Sequence, residues 1–150
     1  MSQNNQLPIS LLAAYMQTDY SFTNDSQAIT IRLDQNNPDL LAYLQQESIT
    51  SWAYITAWNP LSFPQTEEYN HSQQQILREQ LKDYKVFEGE GKGRDGKWPA
   101  EASYFIAGIS RDKACEIGLD FGQTAILVSS ESLEPELVIL HPPSVENNNF

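Results

Sequence analysis

Apolar positions recur along the chain in two rhythms, and the switches between them mark out the elements. Leu7 to Met16 reads as a short helix, and Ala28 to Leu33, with β-branched Ile29, Thr30 and Ile31, as a strand. Asn37 and Pro38 supply the cap and first-turn proline of a helix that buries Leu40, Leu41 and Leu44. From Trp52 to Trp58 bulky Trp52, Tyr54 and Trp58 alternate with Ala53, Ile55 and Ala57, so both faces are apolar or neutral. That pattern predicts a central strand covered by helices.

Asn59 and Pro60 stop this strand. Thr66, followed by Glu67 and Glu68, caps a helix that runs to about Tyr84 and buries Tyr69, Ile76, Leu77, Leu81 and Tyr84. Lys85 to Glu90 and Ala102 to Ile109 read as strands of a hairpin joined by the glycine-rich segment Gly89 to Pro99. Ser110 caps the next helix, whose apolar face is Ala114, Ile117, Gly118 and Phe121, and Gly122 ends it. Thr124 to Val128 and Glu136 to Leu140 complete the set as strands around the turn at Glu134 and Pro135.

From Trp52 onward the order is strand, helix, strand, strand, helix, strand. This predicts an α+β fold with a ferredoxin-like split β-α-β core, a mainly antiparallel sheet with helices packed on it, plus an added N-terminal and an added C-terminal strand. Residues 1–150 form a single domain in this reading, with loose polar termini at about 1–6 and 143–150.

Composition narrows the partners. A formal charge of −11 and a pI near 4.4 argue against nucleic acid, which binds clustered Lys and Arg. The local exception is Lys85, Lys92, Arg94 and Lys97, within one short segment. Cys115 is the sole cysteine, so the chain builds neither an internal disulfide nor a thiolate zinc site. No basic region precedes the apolar run Ile9 to Ala14, and no stretch is long and apolar enough to span a membrane. The expectation is a cytoplasmic monomer or homodimer without cofactor or metal, bound to neither nucleic acid nor membrane, with a small molecule or a protein as partner.

In the predicted topology the first and third strands of the core lie side by side, which fixes the loops that meet. Asn59, Arg94, Trp98, Glu101, Ser103 and Gln123 then converge on one sheet edge, with Thr56 one strand step below and Asn70 one helical turn in. Strand alternation points Glu101, Ser103 and Phe105 the same way. Gly91-x-Gly93-x-x-Gly96 has the spacing of a dinucleotide fingerprint, but it leads through Lys97, Trp98 and Pro99 into a strand, not a helix. It reads instead as a flexible hairpin loop, with an anion nest formed by Lys92 and Arg94 as its functional version. Glu101 is a candidate general acid or base with Glu90 as the nearest second carboxylate; its structural role would be to pair with Arg94 or accept from loop amides. Ser103 lacks a neighbouring histidine, His71 and His141 lack metal-ligand spacing, and Cys115 reads as a small, partly buried residue.

The string Ala53-Tyr-Ile-Thr-Ala-Trp-Asn-Pro60, Asn70, Trp98-Pro-x-Glu101-x-Ser103 and Phe121-Gly-Gln-x-Ala125 resemble the motifs of an uncharacterised bacterial domain family of unknown function. Ala14-Tyr15 and Thr18-x-Tyr20 fit the same pattern. The resemblance implies that Thr56, Asn59, Asn70, Trp98, Glu101, Ser103 and Gln123 act as one set, and it assigns them no chemistry. The leading expectation is a domain that binds a small polar or anionic ligand, or a partner's peptide, at this edge. An enzyme with Glu101 as acid or base is the alternative. A third reading is an interaction module pairing through the strand Glu136 to Leu140.

Overall fold

The computed structural model describes residues 8–96 and 99–140. In chain order the elements are α1 (Ile9–Met16), β1 (Thr18–Thr23), β2 (Ala28–Ile31), α2 (Pro38–Gln46), β3 (Trp52–Ile55), a single 3₁₀ turn (Pro60–Ser62), α3 (Glu67–Gln80), β4 (Lys85–Gly93), β5 (Glu101–Ala107), α4 (Arg111–Asp120), β6 (Ala125–Ser129) and β7 (Pro135–Ile139). All seven strands form one sheet in the order β2-β1-β4-β5-β3-β6-β7, and every pairing is antiparallel. The chain is therefore α+β, with a larger sheet than the four strands of a split β-α-β unit. The pairing of β3 with β5 at the centre is as expected; Tyr54 faces Phe105 across it.

Two cores cover the two faces of the sheet. On one, Ile55, Ile106, Ile126 and Val128 pack against Leu77 of α3 and Ala114 and Ile117 of α4. The other is aromatic, with Phe22, Trp52, Tyr54 and Phe105 beneath Leu40, Tyr43 and Leu44 of α2. Thr66 and Ser110 cap α3 and α4 as their sequences predict, accepting from the amides of Tyr69 and Lys113. Gly122 follows α4 with φ +68°, the left-handed conformation that glycine adopts at little cost.

Four expectations need correction. Tyr69 and Ile76 are 43% and 47% exposed, and α3 instead turns Asn70, Gln74 and Leu77 inward. Leu77 and Leu81 are buried as expected, but two of the inward positions are polar, so a rule that places apolar residues inside misses them. Asn37 holds the N-cap position of α2 ahead of Pro38, but its side chain makes no capping bond; its Oδ1 accepts from the Arg32 amide at 2.8 Å while its Nδ2 donates to Glu134 Oε1 at 2.9 Å. Strand β1 was not anticipated, although Tyr20 and Phe22 alternate with polar neighbours. Finally, the glycine-rich segment is not a loop as far as Gly93, because β4 runs nine residues through it.

The length of β4 has a packing consequence. Gly89 and Gly91 pair with Ser103 and Glu101 on β5 and with Phe22 and Tyr20 on β1, and Gly93 pairs with Thr18, so the three glycines form a bare stripe on the aromatic face. Over Gly89, Phe22 leans across β4 and stacks on Phe105 with ring centroids 4.0 Å apart. A Cβ at Gly89 would collide with the Ser21 carbonyl oxygen. A Cβ at Gly91 would meet Thr18 and Tyr20 side-chain atoms no closer than 3.7 Å, an ordinary contact.

Candidate functional site

The chain leaves β3 through a segment held by side chains rather than by a ladder. Thr56 Oγ1 donates to the Ala102 carbonyl at 2.6 Å and accepts from the Trp58 amide at 3.0 Å. Buried Gln74 of α3 accepts from the Ala57 amide at 2.9 Å and donates to the same Ala102 carbonyl at 3.0 Å. Asn70 then clamps Asn59, accepting from its amide at 2.9 Å and donating to its Oδ1 at 2.8 Å. These bonds satisfy backbone groups that the end of β3 would otherwise leave unpaired.

The clamp holds an unusual backbone. Asn59, Leu61 and Ser62 all have positive φ, at 48°, 56° and 65°. Left-handed conformations cost free energy at non-glycine residues and persist where surrounding contacts over-determine them. Here the Leu61 amide donates to the Gly122 carbonyl at 2.6 Å, and Ser62 Oγ lies 2.7 Å from Thr124 Oγ1. The strained loop is thereby fixed against the turn after α4.

Beside this loop, on the aromatic face of the sheet, lies a cavity of about 530 Å³. Gly91 and Gly93 floor it where side chains are missing, and Glu101, Ser103 and Tyr54 rise from β5 and β3. Leu11, Ala14 and Tyr15 of α1 cover it, and Asn59, Ser62 and Pro64 form its rim. The volume is that of a small-molecule site.

Among the described residues, Glu101 is the only Asp or Glu that lines it. Its hydrogen bond among the described residues is a long one, 3.5 Å from Asn59 Nδ2 to Oε2. Loss of solvation pushes its carboxyl up to about 7, and the Asn59 amide pulls only weakly the other way. Burial also raises Tyr15, to about 12, opposed by the Ser62 and Thr124 hydroxyls and assisted by the Glu101 charge. Burial raises Tyr20 and Tyr54 further; their hydroxyls donate to the carbonyls of Tyr15 at 2.9 Å and Ser21 at 2.7 Å.

Of the residues expected to converge, Thr56, Asn59, Glu101, Ser103 and Gln123 all line the cavity, and Asn70 stands behind Asn59. Gln123 donates from Nε2 to the carbonyls of Trp58 at 3.3 Å and Phe121 at 3.4 Å. Trp98 lies outside the described residues, as does His141. Arg94 does not line the cavity: it donates to the carbonyls of Met16 and Gln17 and pairs with Asp19 and Asp34. Glu90 alternates to the other face of β4 from Gly91, so it is no second carboxylate for Glu101. Gln74 and Ser62 carry no signal in the sequence, and Tyr15, Tyr20 and Tyr54 stand there only as parts of the resembling motifs, not as cavity walls. A period-two glycine run within a strand was the available signal for a missing layer of side chains.

Among the described residues no group of three His, Cys, Asp or Glu side chains is placed to hold a metal ion. Residues 55–126 match the model of the family described as Protein of unknown function (DUF3293). The resemblance to an uncharacterised family therefore holds for this stretch. The DUF3293 match takes in the clamp (Thr56, Asn59, Asn70, Gln74), the glycine floor, Glu101, Ser103 and Gln123, while α1 and β1, which cover the cavity, precede it. No curated protein and no solved structure matches the chain.

Proposed function

We propose that the domain binds a small molecule in the cavity between α1 and the glycine stripe, with Glu101 as its polar anchor. The observation that carries this reading is Glu101 itself, a half-buried carboxyl in a roomy cavity with one long hydrogen bond among the described residues. Purely structural carboxylates in such places are normally bonded by several donors. The strained loop that presents Asn59 supports the same reading, since strain of this kind clusters at functional sites. A cytoplasmic setting fits the unpaired Cys115. An anionic ligand has the least support, because no Lys, Arg or His among the described residues lines the cavity.

A thermal-shift screen of the full chain against small metabolites tests the proposal, with Gly91→Val as the control that fills the floor. Hits that stabilise the wild type and not the variant are expected; a set of hits equally active on both would contradict it. The acid–base reading has its own observation, a carboxyl poised near neutrality. It requires that a hit be turned over, and that Glu101→Gln keep the binding while losing the turnover.

A further inference from the structure

We infer that the ligand of this cavity is an organic cation, a molecule whose apolar body carries an ammonium or a similar multiple hydrogen-bond donor directed at Glu101. The inference rests on the reading of the cavity as a ligand site and adds the chemical class. Its basis is the direction of the hydrogen bonds in the cavity wall.

A backbone carbonyl only accepts, so a hydroxyl bonded to one must be the donor. Thr18 Oγ1 donates to the Ala14 carbonyl at 2.6 Å and Ser103 Oγ to the Glu101 carbonyl at 3.1 Å. Thr56, Tyr20 and Tyr54 commit their protons in the same way, to Ala102, Tyr15 and Ser21. The amide of Asn59 is directed at Glu101 Oε2 and that of Gln123 at two carbonyls. Apart from Asn59, whose amide keeps a second proton, these wall groups have only lone pairs left to offer a ligand, and the carboxyl adds more. These acceptors are satisfied by a ligand rich in donors.

Charge points the same way. Lys92, between the two floor glycines, alternates to the other face of β4, and Arg94, next along, is held by Asp19 and Asp34. The cavity is lined by Tyr15, Tyr20, Tyr54 and Trp58, and aromatic rings attract cations. A net charge of −11 on the chain raises the local concentration of cations and repels anions.

The test uses three probes of similar shape on the full chain at pH 8: phenethylammonium, 2-phenylethanol and phenylacetate. Affinity is read by titration calorimetry, and location by the amide shifts of Gly91 and Gly93 in ¹⁵N spectra of the unaltered protein, which needs no variant to fold. Phenethylammonium is expected to shift both amides and to bind roughly tenfold or more tightly than the alcohol, the scale of one charged hydrogen bond. Glu101→Gln, which keeps the side-chain shape, is expected to remove that preference. Alcohol or acetate bound equally well or better, with the same amides shifting, overturns the cationic class and leaves the binding reading intact. No shift at Gly91 or Gly93 with any probe counts against both.

Discussion

At the scale of single residues, Gly89 and Gly91 show how neighbouring positions in one stripe differ. A Cβ at Gly89 meets backbone, the Ser21 carbonyl, which cannot swing away as a side-chain tip can. Gly89→Ala is therefore expected to destabilise the domain by about 3 kcal/mol or more, the upper range for overpacking. At Gly91 the nearest atoms to an added Cβ are Thr18 Cγ2 and Tyr20 Cδ1, both at 3.7 Å, an ordinary contact. Gly91→Ala should cost less than about 1 kcal/mol while narrowing the cavity. Chemical denaturation of the two variants checks the contrast; equal losses would refute the reading that a Cβ at Gly91 makes only ordinary contacts.

The polar clamp between β3 and α3 operates at the scale of elements. Gln74→Leu deletes the bonds of a buried amide to Ala57 and Ala102 and strands the Ala57 N–H. A loss of about 2 kcal/mol is expected, from the desolvation of unpaired groups. The same change should alter hydrogen exchange at Ala57 and Trp58 before it alters the far side of the sheet. Uniform exchange changes would show that the clamp is not local. The clamp also explains what the amino-acid pattern could and could not reveal. Capping residues Thr66 and Ser110 and the apolar face of α4 were legible because one rule governs each. The polar part of the inward face of α3 was not, since Asn70 and Gln74 are buried by partners brought from β3 and β5, which no local pattern encodes. Likewise Glu101, Ser103 and Asn59 were legible as neighbours from strand order, whereas Arg94 was misplaced because its ion pairs depend on the unanticipated β1 and on Asp34.

For the whole molecule, Glu101 links the cavity to stability. Its carboxyl titrates at about 7 when folded, against 4.5 for an ordinary glutamate. Between these values the unfolded chain has released a proton that the folded chain still holds, so stability falls as pH rises from 4.5 to 7 and then levels off. The contribution is at most about 3 kcal/mol, at ~1.4 kcal/mol for each pH unit. Glu101→Gln should remove this slope and leave the variant more stable than wild type above pH 7, while weakening ligand binding. Removing a functional group at a gain in stability is the usual sign of a strained site. A variant with an unchanged slope would place the titration elsewhere.

The most direct test follows the ¹³C signal of the Glu101 carboxyl through a pH titration, without and with phenethylammonium. A midpoint near 7 in the free protein, moving downward when the ammonium is present, is the predicted result. A midpoint at the ordinary 4.5, unmoved by the amine, would mean that Glu101 is a solvated surface residue and that the cavity has no anchor.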